Sequence, residues 1–232
     1  MEYDIAELEA ALNSMDLARR RDAFESLLDA VEAGDVVFPE PRRLVNIHQH
    51  TFFSFNGYGY SPTYLAWRSR KEGLLVGGIV DFDVLDAVDE FLEAARLIGL
   101  RATAGMETRV FVPELADNVM NSPGEPGIAY YMGVGFSSKD VADAAMLMEL
   151  KNIAQSRNHA MLARVNAHLG PVAIDYDRDV LPLTPSGNPT ERHLCMAYDL
   201  KAREVFPNKE ERVAFWEKAL GIAGAKIELA ME

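Results

Sequence analysis

Leu44-Val45-Asn46-Ile47-His48-Gln49-His50-Thr51 is an apolar run that ends in two histidines separated by one residue. The run reads as a strand. In a strand residues i and i+2 point to the same face, so His48 and His50 present both imidazoles together. Neutral imidazole is the commonest metal ligand among side chains. The stretch is therefore half of a metal site, carried on the end of a strand.

Downstream, strand and helix signals alternate. Ser61-Pro62 offers a cap followed by proline at the first helical position, and the helix stops at Gly73. Leu74 to Val80 reads as a second buried strand, ending in Asp81-Phe82-Asp83. Leu85, Val88, Phe91, Leu92 and Ala95 give the next helix an apolar stripe closed by Gly99, and Arg101 to Met106 makes a third strand that delivers Glu107. This alternation predicts a parallel α/β sheet or barrel. Polar groups stand at the ends of successive strands, where such folds place their chemistry. The aromatic loop from Phe52 to Tyr60 is expected to pack as core or lid and not to stack on bases.

Upstream, Ile5, Leu8 and Leu12, then Phe24, Leu27, Leu28 and Val31, recur at helical spacing, and Gly34 stands at a helix stop. Two amphipathic helices are expected. Phe38-Pro39-Glu40-Pro41 cannot continue a helix and reads as a linker into the first strand.

Composition limits what the histidine pair belongs to. A chain of 232 residues with 49% hydrophobic content can bury a core. No apolar run approaches the roughly 20 residues needed to span a bilayer, and no cationic segment followed by an apolar one opens the chain. No membrane association and a cytoplasmic location are the expectation. Cys195 is the only cysteine, which excludes an internal disulfide and a multi-cysteine zinc site, so a metal must rely on His, Asp and Glu. A net charge of −13 gives no general attraction to nucleic acid. A small anionic substrate recruited by metal ions fits it better. No Walker loop, dinucleotide fingerprint or G-x-S-x-G elbow competes.

The ordered set His48-Gln49-His50-Thr51, Ser54, Ser61-Pro62, Gly73-Leu74, Ile79-Val80-Asp81-Phe82-Asp83 and Gly105-Met106-Glu107 resembles the opening of a polymerase and histidinol phosphatase (PHP) domain. Such domains read H-x-H-[ST], an S-D-G-like turn, S-P, G-L, T-D-H-D and G-x-E. Tyr130-Tyr131-Met132-Gly133-Val134-Gly135 is similar to the family's H-[IV]-L-G-Y-G strand. Arg157 to Leu169 and Asn188-Pro189-Thr190-Glu191-Arg192-His193 resemble the helical insertion of the bacterial phosphoesterase branch.

The resemblance implies an α/β fold, a distorted (β/α)7 barrel whose strand ends hold divalent metal ions, zinc, manganese or iron. It implies hydrolysis of a phosphate ester by a metal-activated water. His48 and His50 would be ligands, Glu107 a bridging carboxylate, His193 a ligand or phosphate-facing acid, and Arg192 a phosphate contact. The substrate would be a small phosphorylated metabolite, a nucleotide or an oligonucleotide end.

The departures are as specific as the matches. Phe82 stands where the family has a histidine, leaving Asp81 or Asp83 as a substitute ligand. The S-D-G aspartate falls on Phe55 or Asn56, and the third-motif histidine on Tyr130 or Tyr131. Nothing resembling the family's A-H-P strand or final D-x-H motif follows Leu220. The expected architecture is thus an N-terminal helical segment at 1–38, the first part of an incomplete barrel at 43–137, a helical insertion at 138–222 and a tail at 223–232. An incomplete barrel leaves an open sheet edge. The N-terminal helices, a second copy or a partner chain would cover it, unless the chain is a truncated product. Two function classes follow, a metal-dependent phosphoesterase, working with one metal if ligands are lost, or a degenerate PHP scaffold kept for binding or regulation. His159, His168 and the Asp175, Asp177, Asp179 alternation are expected to be structural or solvent-facing.

Overall fold

The computed structural model describes residues 4–55, 58–185 and 187–223 and divides the chain into two compact units, 1–151 and 152–232. Asn56 and most of the expected tail lie outside the described residues.

The first unit opens with α1 (Ile5–Ala11) and α2 (Leu17–Ala33). Asp4 and Asp16 cap them, each side chain accepting a hydrogen bond from a first-turn backbone N–H. Both elements match the expected amphipathic helices. A short strand β1 (Val45–Asn46) follows, then α3 (Pro62–Lys71), β2 (Val76–Phe82), α4 (Val88–Leu97), β3 (Arg101–Phe111) and β4 (Ile128–Val134). Ser61 caps α3 as expected, its hydroxyl accepting from the Tyr64 N–H at 3.0 Å. Gly73 ends the turn after α3 at φ +69°, a conformation that side chains other than glycine adopt at a cost.

The sheet runs β1-β2-β3-β4. β1, β2 and β3 are parallel, as helical crossovers require, but β4 is antiparallel to β3. The continued parallel alternation expected from the sequence stops here. Between β3 and β4 there is only a short helical turn, Pro113–Leu115, and no crossover helix, so the chain returns directly alongside the strand it has left. β3 is also longer than expected, continuing past Glu107 to Phe111 because its second half pairs with β4. The backbones of β3 and β4 approach closely at Gly105, where a Cβ would stand 1.9 Å from the Gly133 oxygen. Among the described residues the sheet has four strands; the α/β architecture fits an incomplete barrel but does not reach a (β/α)7 count.

The ladder of β1 ends at Asn46, yet the histidine segment stays beside β2. The Val80 N–H donates to the Gln49 oxygen at 2.9 Å, and the Gln49 amide donates to the Gly78 oxygen at 3.2 Å. The apolar residues before the histidines do not form a buried strand: Leu44, Val45 and Ile47 are exposed on the sheet edge.

The core of this unit joins both N-terminal helices to α3, α4 and β2. Leu12, Phe24, Leu27, Trp67, Ile79, Val88 and Phe91 belong to one buried cluster. Trp67 lies edge-on to Phe24 and Phe38, and its indole N–H donates to Glu9 at 2.8 Å. Burying an aromatic side chain of this size contributes about 2–3 kcal/mol. The helices therefore fold with the sheet.

The boundary between the units falls within α5 (Ala144–His168). The second unit adds α6 (Glu191–Val205) and α7 (Lys209–Leu220) around a core of Leu169, Val172, Ile174, Val180, Leu194 and Tyr198. The aspartate alternation makes local contacts: Asp175 accepts from the Arg178 N–H, and Asp179 accepts from the Asp175 N–H and pairs with Arg178. Its hydrogen bond with Arg178 holds the Asp179 carboxyl down at about 2. The His159 and Tyr176 rings meet at a tilt of 38° with centroids 4.0 Å apart, and His168 contacts the Ala219 oxygen at 2.9 Å. Among the described residues no helix is long and apolar enough to cross a membrane.

Candidate metal centre

Three of the expected side chains meet in the first unit. His48 Nε2 lies 3.1 Å and His50 Nε2 3.3 Å from the same oxygen, Oε2 of Glu107, and the ligand atoms of all three lie within 4.8 Å of one another. Both histidines stand beyond the last paired residue of β1, and their rings lie together, with centroids 5.3 Å apart. Glu107 reaches them because it pairs in register with Phe82, the last residue of β2. The burial is graded: the Glu107 side chain is 8% exposed, His50 19% and His48 52%. The site therefore opens to solvent on the His48 side.

A neutral imidazole nitrogen without a proton is an acceptor, and so is a carboxylate oxygen. Two such nitrogens around one carboxylate oxygen repel it unless a proton or a cation stands between them. Two histidines and one glutamate are also a known catalytic zinc set, which leaves a coordination position open for water. The residues present can hold a divalent metal ion.

Asp81 and Asp83 stand outside this cluster. Asp81 is 1% exposed, and both of its oxygens are engaged: Oδ1 by the Thr51 N–H at 2.7 Å and the Ser54 hydroxyl at 2.5 Å, Oδ2 by the Thr51 hydroxyl at 2.7 Å. Burial pushes its carboxyl up to about 6, against the opposing pull of those hydrogen bonds. Asp83 is a non-glycine residue at φ +57°, in the left-handed region. Its N–H donates to the Glu107 oxygen at 2.9 Å and its carboxylate accepts from the Thr108 hydroxyl at 2.6 Å, so the turn leaving β2 is clamped to β3 beside Glu107.

Phe82 does not leave a gap where a ligand would stand. Its ring stacks on His50, with centroids 4.5 Å apart and planes 13° from parallel, and meets Tyr130 edge-on at 6.0 Å. The two aromatics thus form one apolar wall beside His50.

Sequence reasoning gave Ser54 and Thr51 no role, because donors to a buried carboxylate leave no spacing signature. It also missed Arg109. Arg109 lies two residues after Glu107 on β3 and so shares its face, a signal that strand alternation carries. Its guanidinium sits 5.9 Å from the Tyr130 ring centroid and pairs with Glu125.

His193 and Arg192 lie in the second unit, on the first turn of α6. Arg192 is exposed. His193 is 2% exposed, and its Nδ1 accepts the Thr190 backbone N–H at 3.0 Å in a capping box. Burial pulls its pKa down from 6.5 to about 4, so the ring is neutral at pH 7. That state does not suit a proton donor. A depressed histidine contributes stability that is complete above about pH 6.5 and is lost as pH falls toward about 4, because the unfolded chain takes up the proton first. The loss amounts to about 3 kcal/mol. Asp81 acts with the opposite sign, favouring the fold as pH falls from about 6 toward its ordinary value of 3.8. Denaturant titrations between pH 4.5 and 7 should therefore show a shallower pH dependence below pH 6.5 in His193→Gln than in the parent; equal slopes would contradict this assignment.

No family model matches the sequence, and no curated protein matches it significantly. Among solved structures, the fold is similar to that of a proposed metal-dependent phosphoesterase from Bifidobacterium adolescentis, with a TM-score of 0.55 and 22% identity over 78% of this chain. An amidohydrolase from Chromobacterium violaceum, solved with bound sulfate and no metal, aligns over 74% of the chain with a TM-score of 0.48 and 18% identity. The chain spans 56% and 53% of the lengths of these two proteins. At such identities the first likeness shows a shared fold: this chain has an α/β fold similar to that of a proposed metal-dependent phosphoesterase.

Proposed function

We propose that the chain is a metal-dependent phosphoesterase of PHP type that works with a single divalent ion, zinc, manganese or iron. The observation that carries this reading is the convergence of His48 and His50 on one carboxylate oxygen of Glu107. Bound there, the ion would lower the pKa of a water molecule and draw charge from the phosphate oxygens.

The chain's own residues supply the rest. His48 and His50 give two neutral nitrogens, and Glu107 gives a buried carboxylate that offsets much of the ion's charge. The Phe82 and Tyr130 wall excludes water from one side of His50 and leaves the exposed His48 side for the substrate. Arg109, opposite Tyr130 on the face of Glu107, would bind a phosphate through its guanidinium fork in exchange for its pairing with Glu125. The three ligands His48, His50 and Glu107 lie wholly in the first unit.

The assay is hydrolysis of a chromogenic phosphodiester and a monoester, with added manganese or zinc and again with chelator. Turnover that requires metal supports the reading. Arg109→Ala should then raise KM about tenfold, the order of one lost charged hydrogen bond, with metal affinity unchanged. An unaltered KM removes Arg109 from the site.

A second reading is a degenerate PHP scaffold without catalysis, serving binding or regulation. Phe82 and Tyr130, aromatic where the related family places histidines, favour it. Stoichiometric metal without turnover on either ester would select that reading.

A further inference from the structure

We infer that Ser54 and Asp81 are positioning residues for His50, forming a hydrogen-bond relay that holds the proton of the ligating ring on Nδ1 and presents Nε2 to the metal. The inference rests on the metal-site reading, but its central evidence lies in the chain's own hydrogen bonds.

The relay starts at a carboxylate whose three donors are all known. Asp81 accepts from the Thr51 N–H, the Thr51 hydroxyl and the Ser54 hydroxyl at 2.7, 2.7 and 2.5 Å. Thr51 has one hydroxyl proton. Its oxygen already accepts the Phe53 N–H at 3.1 Å, so that proton points to Asp81. Ser54 likewise has one proton, and the 2.5 Å contact with a carboxylate oxygen takes it. The Ser54 oxygen then turns lone pairs toward His50 Nδ1, 3.4 Å away. A lone pair is met favourably there only by an N–H.

Thr51 and Ser54 are both fully buried and Asp81 nearly so, which leaves water little access to compete for these bonds. Nε2 faces Glu107 at 3.3 Å, so a cation seated between them would meet the Nε2 lone pair while the ring's proton stands on Nδ1. The Phe82 ring, stacked at 4.5 Å, holds the plane of the imidazole. Histidine ligands elsewhere donate their second N–H to a carboxylate, which fixes the tautomer and raises ligand basicity. Here a serine hydroxyl is interposed between the two. The relay gives a role to Asp81 that is neither ligand nor surface charge, and explains why a carboxylate is buried one residue before the Phe82 wall.

The test reads the tautomer directly. Long-range proton–nitrogen correlation spectra of 15N-histidine-labelled, zinc-loaded protein at pH 8, with His50 assigned from the His50→Gln spectrum, should show the metal on Nε2 and the proton on Nδ1. Ser54→Ala should move the His50 Nδ1–H resonance, speed its exchange with water and weaken zinc binding, measured by chelator competition, by about 10- to 100-fold. Asp81→Asn should act in the same direction. A His50 that binds zinc through Nδ1 in the parent protein overturns the relay even if no variant folds. An unchanged Nδ1–H resonance in folded Ser54→Ala, with zinc still bound, overturns the relay and leaves the metal-site reading standing. A parent that binds no zinc overturns the metal-site reading and the relay with it.

Discussion

Replacing both His48 and His50 with alanine should abolish bound divalent metal and reduce metal-dependent hydrolysis to background, while the helical circular dichroism of the parent is retained. The two effects separate because of where the rings sit. Both histidines contact Glu107 and each other, but neither belongs to the buried cluster that joins the N-terminal helices to α3, α4 and β2. His48 is half-exposed, so its removal leaves no core cavity. What remains at the site is Glu107, and one carboxylate does not hold zinc or manganese against dialysis. Metal content is read by elemental analysis of the dialysed variant. Retained stoichiometric metal would place the site elsewhere in the chain.

Arg20→Met should destabilise the first unit by about 3–5 kcal/mol, the usual cost of removing one member of a buried ion pair. This is a large part of the roughly 5–15 kcal/mol that holds a typical domain folded. Arg20 is 3% exposed and donates to both carboxylate oxygens of Glu90, at 3.0 and 2.6 Å, and to the Ser14 oxygen at 2.8 Å. Glu90 in turn accepts from the Thr63 hydroxyl at 2.7 Å. Without Arg20, a mostly buried carboxylate and a backbone carbonyl each lose a charged donor. The guanidinium also sits 5.0 Å from the Phe52 ring centroid, two residues beyond His50. The N-terminal helices are thereby tied to the loop that follows the histidine pair. Denaturant midpoints measure the effect, and Arg20→Met combined with Glu90→Met should recover part of the loss. A shift below 1 kcal/mol would show that the pair contributes no more than a surface bridge.

The parts of this molecule that were legible in the sequence are those with a local cause. Ser61-Pro62 announces α3 because a cap and a fixed φ act within one turn. His48 and His50 announce a shared face because strand alternation has a period of two residues. Glu107 could be matched to them because strand ends converge in α/β folds. The direction of β4 was not legible in the same way. It depends on the 112–127 connection, whose Pro113 and short turn replace a crossover helix. Leu44, Val45 and Ile47 look like any buried strand, since an apolar run does not say whether a sheet continues beyond it.

Asp81 shows the harder limit. A carboxylate at the end of a strand suggests a ligand, and only the donors Thr51 and Ser54, about 30 residues away in sequence, show that it is an acceptor. Phe82 was visible as a substitution, but its packing on His50 and against Tyr130 required the fold. The helical character of residues 138–222 was expected, but the inward turn of His193 to its own helix cap leaves no mark in motif order.

The measurement that tests the account most directly is the metal content of the unaltered protein, purified, loaded with zinc or manganese and dialysed to equilibrium. The His48, His50 and Glu107 site predicts about one equivalent of divalent metal per chain, removable by chelator and restored by readdition. A metal-free chain after loading, with native helical content intact, would contradict it.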